Sequence, residues 1–171
     1  NFVTRHAVNR ACVAARVPLV IAGPGVPAGQ MVEAPVAQVD LVRTLVEWAG
    51  AKPHQKLRGH SLVPFFHGQT GWHPGWVYCE SHSEGNASGS FMLRKGDWKY
   101  IHFVWHEGLL FNVAEDPAEL NNRFNDPAAQ LIVTELRALL EKQANPVEIT
   151  QRAFAAQRRD AEADGPRFDG R

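Results

Sequence analysis

The chain has 171 residues and is 44% hydrophobic, with 18 Lys plus Arg balancing 18 Asp plus Glu. That balance excludes a basic footprint for nucleic acid and an acidic tail. No apolar run approaches the roughly 20 residues that span a bilayer, and the opening NFVTRHAVNRAC lacks the apolar core of a signal peptide.

Residues 1–16 take no clear assignment. Val17 to Ala22 is an unbroken apolar run that stops at Gly23-Pro24-Gly25. A run buried on both faces and ended by Gly/Pro reads as a central strand of a parallel sheet. Such a strand needs neighbours and covering helices, which 16 preceding residues do not supply. The chain is therefore expected to begin part-way through a larger α/β domain. A helix follows within Val32–Gly50, with Val39, Val42, Leu45, Val46 and Ala49 as its buried stripe and Gly50 closing it.

Residues 51–76 are rich in Pro and Gly and contain GHSLVPFF, an apolar patch expected to dock on the larger domain. A boundary is placed near residue 70. Four strands come next: Trp76–Glu80, Phe91–Arg94, Trp98–Phe103 and Leu109–Val113, with Lys95-Gly96-Asp97 as a tight turn. Connections this short favour antiparallel pairing. Asp116-Pro117 with Glu119 reads as a turn and helix start. Asp126-Pro127 opens a helix as cap and first residue, and Leu131, Ile132, Leu136, Leu139 and Leu140 form the face that packs on the meander. Asn145-Pro146 ends it, residues 147–159 form a further short helix, and DAEADGPRFDGR reads as a tail. The expected fold is α/β, with one βα unit (residues 1–70), a small α+β subdomain with a four-stranded antiparallel sheet and packed helix (71–145), and a helical or mobile end (146–171).

Two cysteines, Cys12 and Cys79, make no disulfide framework. The eight histidines show neither HExxH nor His-x-His spacing and read as solvated or loop residues.

Six blocks in order, RVPLVIAGPGVPAG, VDLVRTLVEWAG, LRGHSLVPFFHG, ESHSEG, FMLRKGDWKYIHF and LFNVAEDPAELNN, resemble the C-terminal third of a type I sulfatase, within the alkaline-phosphatase-like superfamily. ESHSEG and MLRKG look most like the branch of choline sulfatases and related bacterial arylsulfatases. The resemblance implies a large α/β domain followed by a small antiparallel subdomain, and hydrolysis of sulfate esters. It also implies a formylglycine, made from Cys or Ser in C/S-x-P-x-R, that attacks sulfur beside a divalent cation, usually calcium.

Those elements are not found in this chain. Cys12–Arg16 reads C-V-A-A-R, with Ala14 where the motif requires Pro, and it lies at the wrong end of the family's order. Residues 1–16 hold no Asp or Glu, so no carboxylate ligand comes from them. The chain is expected to bind neither metal nor cofactor, with calcium and formylglycine in a preceding part.

What remains are pocket-shaping candidates. Arg5 or His6 could hold a sulfate oxygen where the family carries a lysine. His82 could meet the substrate or its leaving group, and Glu80 and Glu84 a cationic group such as choline. Trp72, Trp76 and Trp105 read as packing before they read as an ammonium cage. The expected partner is a small sulfated substrate, without nucleic acid or membrane; a homo-oligomer stays open. The compartment stays open too, whether bacterial cytoplasm or periplasm. The chain alone is expected to be inactive. Two other readings compete: part of a phosphonate monoester or phosphodiester hydrolase of the same superfamily, and a non-catalytic binding module derived from a sulfatase.

Overall fold

The computed structural model describes residues 21–82 and 87–164. The Val17–Ala22 strand lies mostly outside them, and its last two residues, Ile21 and Ala22, carry no strand pairing. The tail from residue 165 also lies outside. The chain divides into two compact units, one holding residues up to Glu33 and Val39–His73, the other Ala34–Gln38 and everything from Pro74.

In the first unit, helix α1 runs Gln38–Trp48 and a single turn, α2, runs Val63–Phe66. The expected stripe on α1 is corrected. Val39, Val42 and Leu45 are exposed, while the polar pair Asp40 and Thr44 is buried. Residues four apart share a helix face, and here that face receives the loop from Leu57 to Leu62. The GHSLVPFF patch finds partners within its own unit. Leu62 is buried, Phe65 lies 4.8 Å from the Trp72 ring, and Phe66 meets Trp48 edge-on at 5.8 Å. Gly23 approaches the same Trp48, where an added Cβ would sit 2.8 Å from the indole.

The second unit is built on a four-stranded antiparallel sheet in chain order: β1 Trp76–Ser81, β2 Ser90–Lys95, β3 Trp98–Phe103, β4 Leu109–Asn112. Lys95 pairs with Trp98, which leaves Gly96-Asp97 as a two-residue connection. Gly96 takes φ +55° there, the left-handed region a tight hairpin turn demands. Phe91, Leu93, Tyr100 and Leu110 put side chains on one face of the sheet, following the two-residue period of the strands.

Helix α3, Gln130–Gln143, covers that face, and a 3-10 turn over Pro127–Ala129 leads into it. Asp126 caps that turn by accepting the Ala128 amide at 2.9 Å. The buried stripe is Ala129, Val133, Leu136 and Leu140, with Ile132 and Leu139 partly buried beside it. Leu131, expected inside, is 85% exposed. It lies two residues from both Ala129 and Val133, about 200° around the helix axis. The final helix, α4, runs Pro146–Asp164, longer than expected and beginning at the proline itself.

The Asp116–Glu119 segment is a turn and not a helix start. Asp116 accepts the Asn121 amide at 2.8 Å, and Glu119 sits at φ 54° while holding Lys99 at 2.7 Å. Among the described residues no helix is long and apolar enough to cross a membrane.

Candidate functional site

Among the described residues, the candidate side chains lie in two places, one in each unit, and only the first brings a carboxylate and imidazoles together. In the first, α1 and the loop after it are joined through Asp40 and Thr44. The Asp40 Oδ1 accepts the His60 amide at 2.7 Å. The Thr44 hydroxyl donates to the Asp40 carbonyl at 2.6 Å and accepts the Leu62 amide at 2.8 Å. Arg43 donates to the Leu57 carbonyl at 3.0 Å. Gly59 makes the approach feasible: its φ is +91°, and an added Cβ would lie 2.7 Å from the Val39 carbonyl oxygen and 2.9 Å from Asp40 Oδ1. The family-like RGHSL block is thus a loop laid directly on a helix.

Two imidazoles converge on the same carboxylate. His73 Nε2 lies 3.8 Å from Asp40 Oδ2, and His60 Nδ1 lies 3.9 Å from Oδ1. The His73 side chain is only 4% exposed and that of His60 is 51% exposed. Of the reading of the histidines as solvated or loop residues, His73 keeps the loop position but is buried instead of solvated. Its ring lies 5.4 Å from Trp72, 5.5 Å from His60 and 5.9 Å from Phe65. Burial holds its pKa below the ordinary histidine range, against the upward pull of the Asp40 carboxylate. Asp40, His60 and His73 each place a ligand-type atom within 4.8 Å of the others, and no other such set of three occurs among the described residues. Two nitrogens beside one carboxylate do not fit calcium, which takes a cage of oxygens.

Sequence reasoning missed this cluster because its members stand at positions 40, 60 and 73, with no local motif. The sole local signal was Gly59 in the Pro/Gly-rich stretch, which marks a close approach but not its target.

In the second unit, β1 delivers Glu80 and His82 toward the residue 83–86 segment. Glu80 is exposed and accepts the Tyr78 hydroxyl at 2.5 Å. His82 turns inward instead of facing solvent. Its ring meets Phe91 edge-on at 5.3 Å, and both ring nitrogens are shielded without a hydrogen-bond partner. Gly89 leaves room for it: a Cβ there would lie 2.9 Å from His82 Nδ1 and 2.2 Å from the Thr150 hydroxyl. Gln157 of α4 donates to the His82 carbonyl. Glu84, Arg5, His6 and Cys12 lie outside the described residues.

The aromatic candidates divide between the units. Trp72 is in the first, its indole nitrogen shielded; Trp76 packs on the second unit's core; Trp105 is exposed at φ 66°.

A family model for the C-terminal region of N-sulphoglucosamine sulphohydrolase matches residues 11–146. Arylsulfatase K of Danio rerio is 39% identical over 116 residues, which is 62% of this chain and 22% of that protein. Choline-sulfatase of Rhizobium meliloti (strain 1021) is 32% identical over 152 residues, 87% of this chain and 29% of that protein. The solved structure of a 2-O GAG sulfatase superposes with a TM-score of 0.62 at 31% identity, covering 80% of this chain and 30% of that one. The chain spans between a fifth and a third of the length of these relatives.

Proposed function

The chain belongs to the family of N-sulphoglucosamine sulphohydrolase C-terminal domains, and on that premise we propose that it serves as the substrate-shaping C-terminal part of a sulfatase, an enzyme that hydrolyses sulfate esters. The observation that carries this reading is the match over residues 11–146, which spans most of the first compact unit and the sheet and α3 of the second. The outward apolar stripe of α1, Val39, Val42 and Leu45, supports it further, since a larger α/β layer would cover such a face. In this reading formylglycine and calcium belong to the part of the protein upstream of the RVPL block. Formylglycine supplies the nucleophile and calcium the charge neutralisation there.

This chain's own residues then bind and orient. Glu80, oriented by Tyr78, and Glu84 in the following segment contact cationic or hydroxyl groups of a small sulfated substrate. Arg5 or His6 holds a sulfate oxygen. The inward ring of His82 fixes the backbone just before Glu84, so it acts on substrate choice by position.

The test uses the full-length protein and the 171-residue chain side by side on p-nitrophenyl sulfate and an aryl phosphonate monoester. The full-length protein is expected to prefer the sulfate, and the chain alone to be inactive. A phosphonate preference overturns the sulfatase reading in favour of the phosphonate hydrolase one. Activity of the chain alone overturns its supporting role. Glu80→Ala is expected to raise KM for the natural sulfate ester with kcat little changed, the pattern of lost uniform binding; an unchanged KM removes Glu80 from the pocket.

A further inference from the structure

We propose that Asp40, His60 and His73 form a binding site for a divalent transition cation of the zinc type, which staples the loop of residues 51–73 to α1. The donor set is one carboxylate and two imidazoles, the nitrogen-rich mixture that suits zinc, cobalt or nickel and not the hard, oxygen-seeking cations.

The distances suit it as well. Zinc bonds of ~2.0–2.1 Å place tetrahedral ligand atoms about 3.3 Å apart. The observed Oδ2 to Nε2 and Oδ1 to Nδ1 separations are 3.8 and 3.9 Å, on different carboxylate oxygens, and one ligand atom from each of the three residues lies within 4.8 Å of the others, so closure onto one ion needs shifts of roughly half to one and a half ångströms. The exposed His60 side chain is free to make those shifts, while Asp40 and His73 are held by burial. The solvent side, beside His60, leaves the fourth position to water.

The surroundings are those of a supported ligand set. Asp40 is oriented by the His60 amide on Oδ1, the kind of outer hydrogen bond that fixes a metal-binding carboxylate. Phe65 and Trp72 flank His73 and keep that side apolar. A simple helix–loop clasp needs only the carboxylate and the amide. It does not need the imidazole brought from position 73 and buried 3.8 Å from the other carboxylate oxygen.

The test of this site does not depend on the sulfate-ester activity proposed above. Full-length protein stripped of metal is titrated with Co2+ alone. The expected result is the intense visible absorption of four-coordinate cobalt, displaced by Zn2+. His60→Ala, altering an exposed side chain, is expected to keep the fold by circular dichroism and to weaken that signal's affinity at least ~10-fold. His73→Ala is expected to abolish it; if that variant does not fold, His60→Ala decides. An unchanged cobalt spectrum in folded His60→Ala, or only the weak absorption of six-coordinate cobalt in the unaltered protein, overturns the proposal and leaves the cluster as a hydrogen-bonded clasp.

Discussion

At the residue scale, burial sets what each histidine does. His102 on β3 lies 3.2 Å from the Tyr100 hydroxyl, and Tyr100 receives Arg137 from α3 at 3.5 Å. Burial lowers the His102 pKa first, the Arg137 guanidinium lowers it further, and Glu141 opposes both. A histidine whose folded pKa lies below its unfolded value takes up its proton later in the folded state. Its penalty is absent above about pH 6.5 and grows as pH falls from the unfolded value through the folded one. His102→Gln is therefore expected to flatten the loss of stability between pH 7 and 5, read as denaturation midpoints across that range. An identical pH profile in variant and wild type would show that His102 does not contribute. His82 shows the same influence of burial in another form. A loop histidine in a Ser/Gly/Asn-rich sequence reads as solvated, yet Gly89 lets it fold under α4 against Phe91.

At the element scale, α3 and the sheet carry the second unit. The stripe Ala129, Val133, Leu136, Leu140 follows the i, i+4, i+7, i+11 pattern of one helix face. Leu136 is 2% exposed and Leu131 is 85% exposed, although the two leucines stand five positions apart on one helix. Leu136→Ala is expected to cost about 2–5 kcal/mol through lost burial and the cavity left behind. Leu131→Ala is expected to change stability by no more than about 0.5 kcal/mol. Urea denaturation of the two variants checks the pair, and similar costs for both would contradict the helix orientation. Elsewhere the elements are punctuated by residues with defined tasks. Gly96 turns the β2–β3 hairpin, Asp126 caps the turn before α3, and Pro146 begins α4 where a helix tolerates it.

At the scale of the whole molecule, the first unit is the one whose sequence pattern and surface disagree. Its helix has an apolar stripe, but the loop of residues 57–62 occupies the polar face of Asp40 and Thr44. Leu45, 58% exposed, is left outward. If a larger α/β layer covers that stripe, Leu45→Ser in the full-length protein should cost about 2–5 kcal/mol, as for a buried leucine. A change below about 0.5 kcal/mol, the scale of an exposed site, would count against that layer. The comparison uses thermal or denaturant unfolding of the full-length protein, where a stripe without cover would leave the transition unmoved.

The amino-acid sequence by itself determined the second unit almost strand by strand. Alternating apolar residues, a Gly-Asp turn and short connections leave one pairing that buries Phe91, Leu93, Tyr100 and Leu110 together. Six ordered blocks also named the family, because glycines, prolines and turn carboxylates at fixed places are constraints that survive in a linear string. What only the tertiary structure decided concerns contacts between residues distant in sequence. Which face of α1 turns inward depends on where a loop settles, not on the period of its apolar residues. The meeting of Asp40 with His60 and His73 is invisible to spacing because the intervening residues fold back through Gly59 and α2. A carboxylate and two imidazoles so far apart in the chain become one set of possible ligands only when the fold closes the path between them.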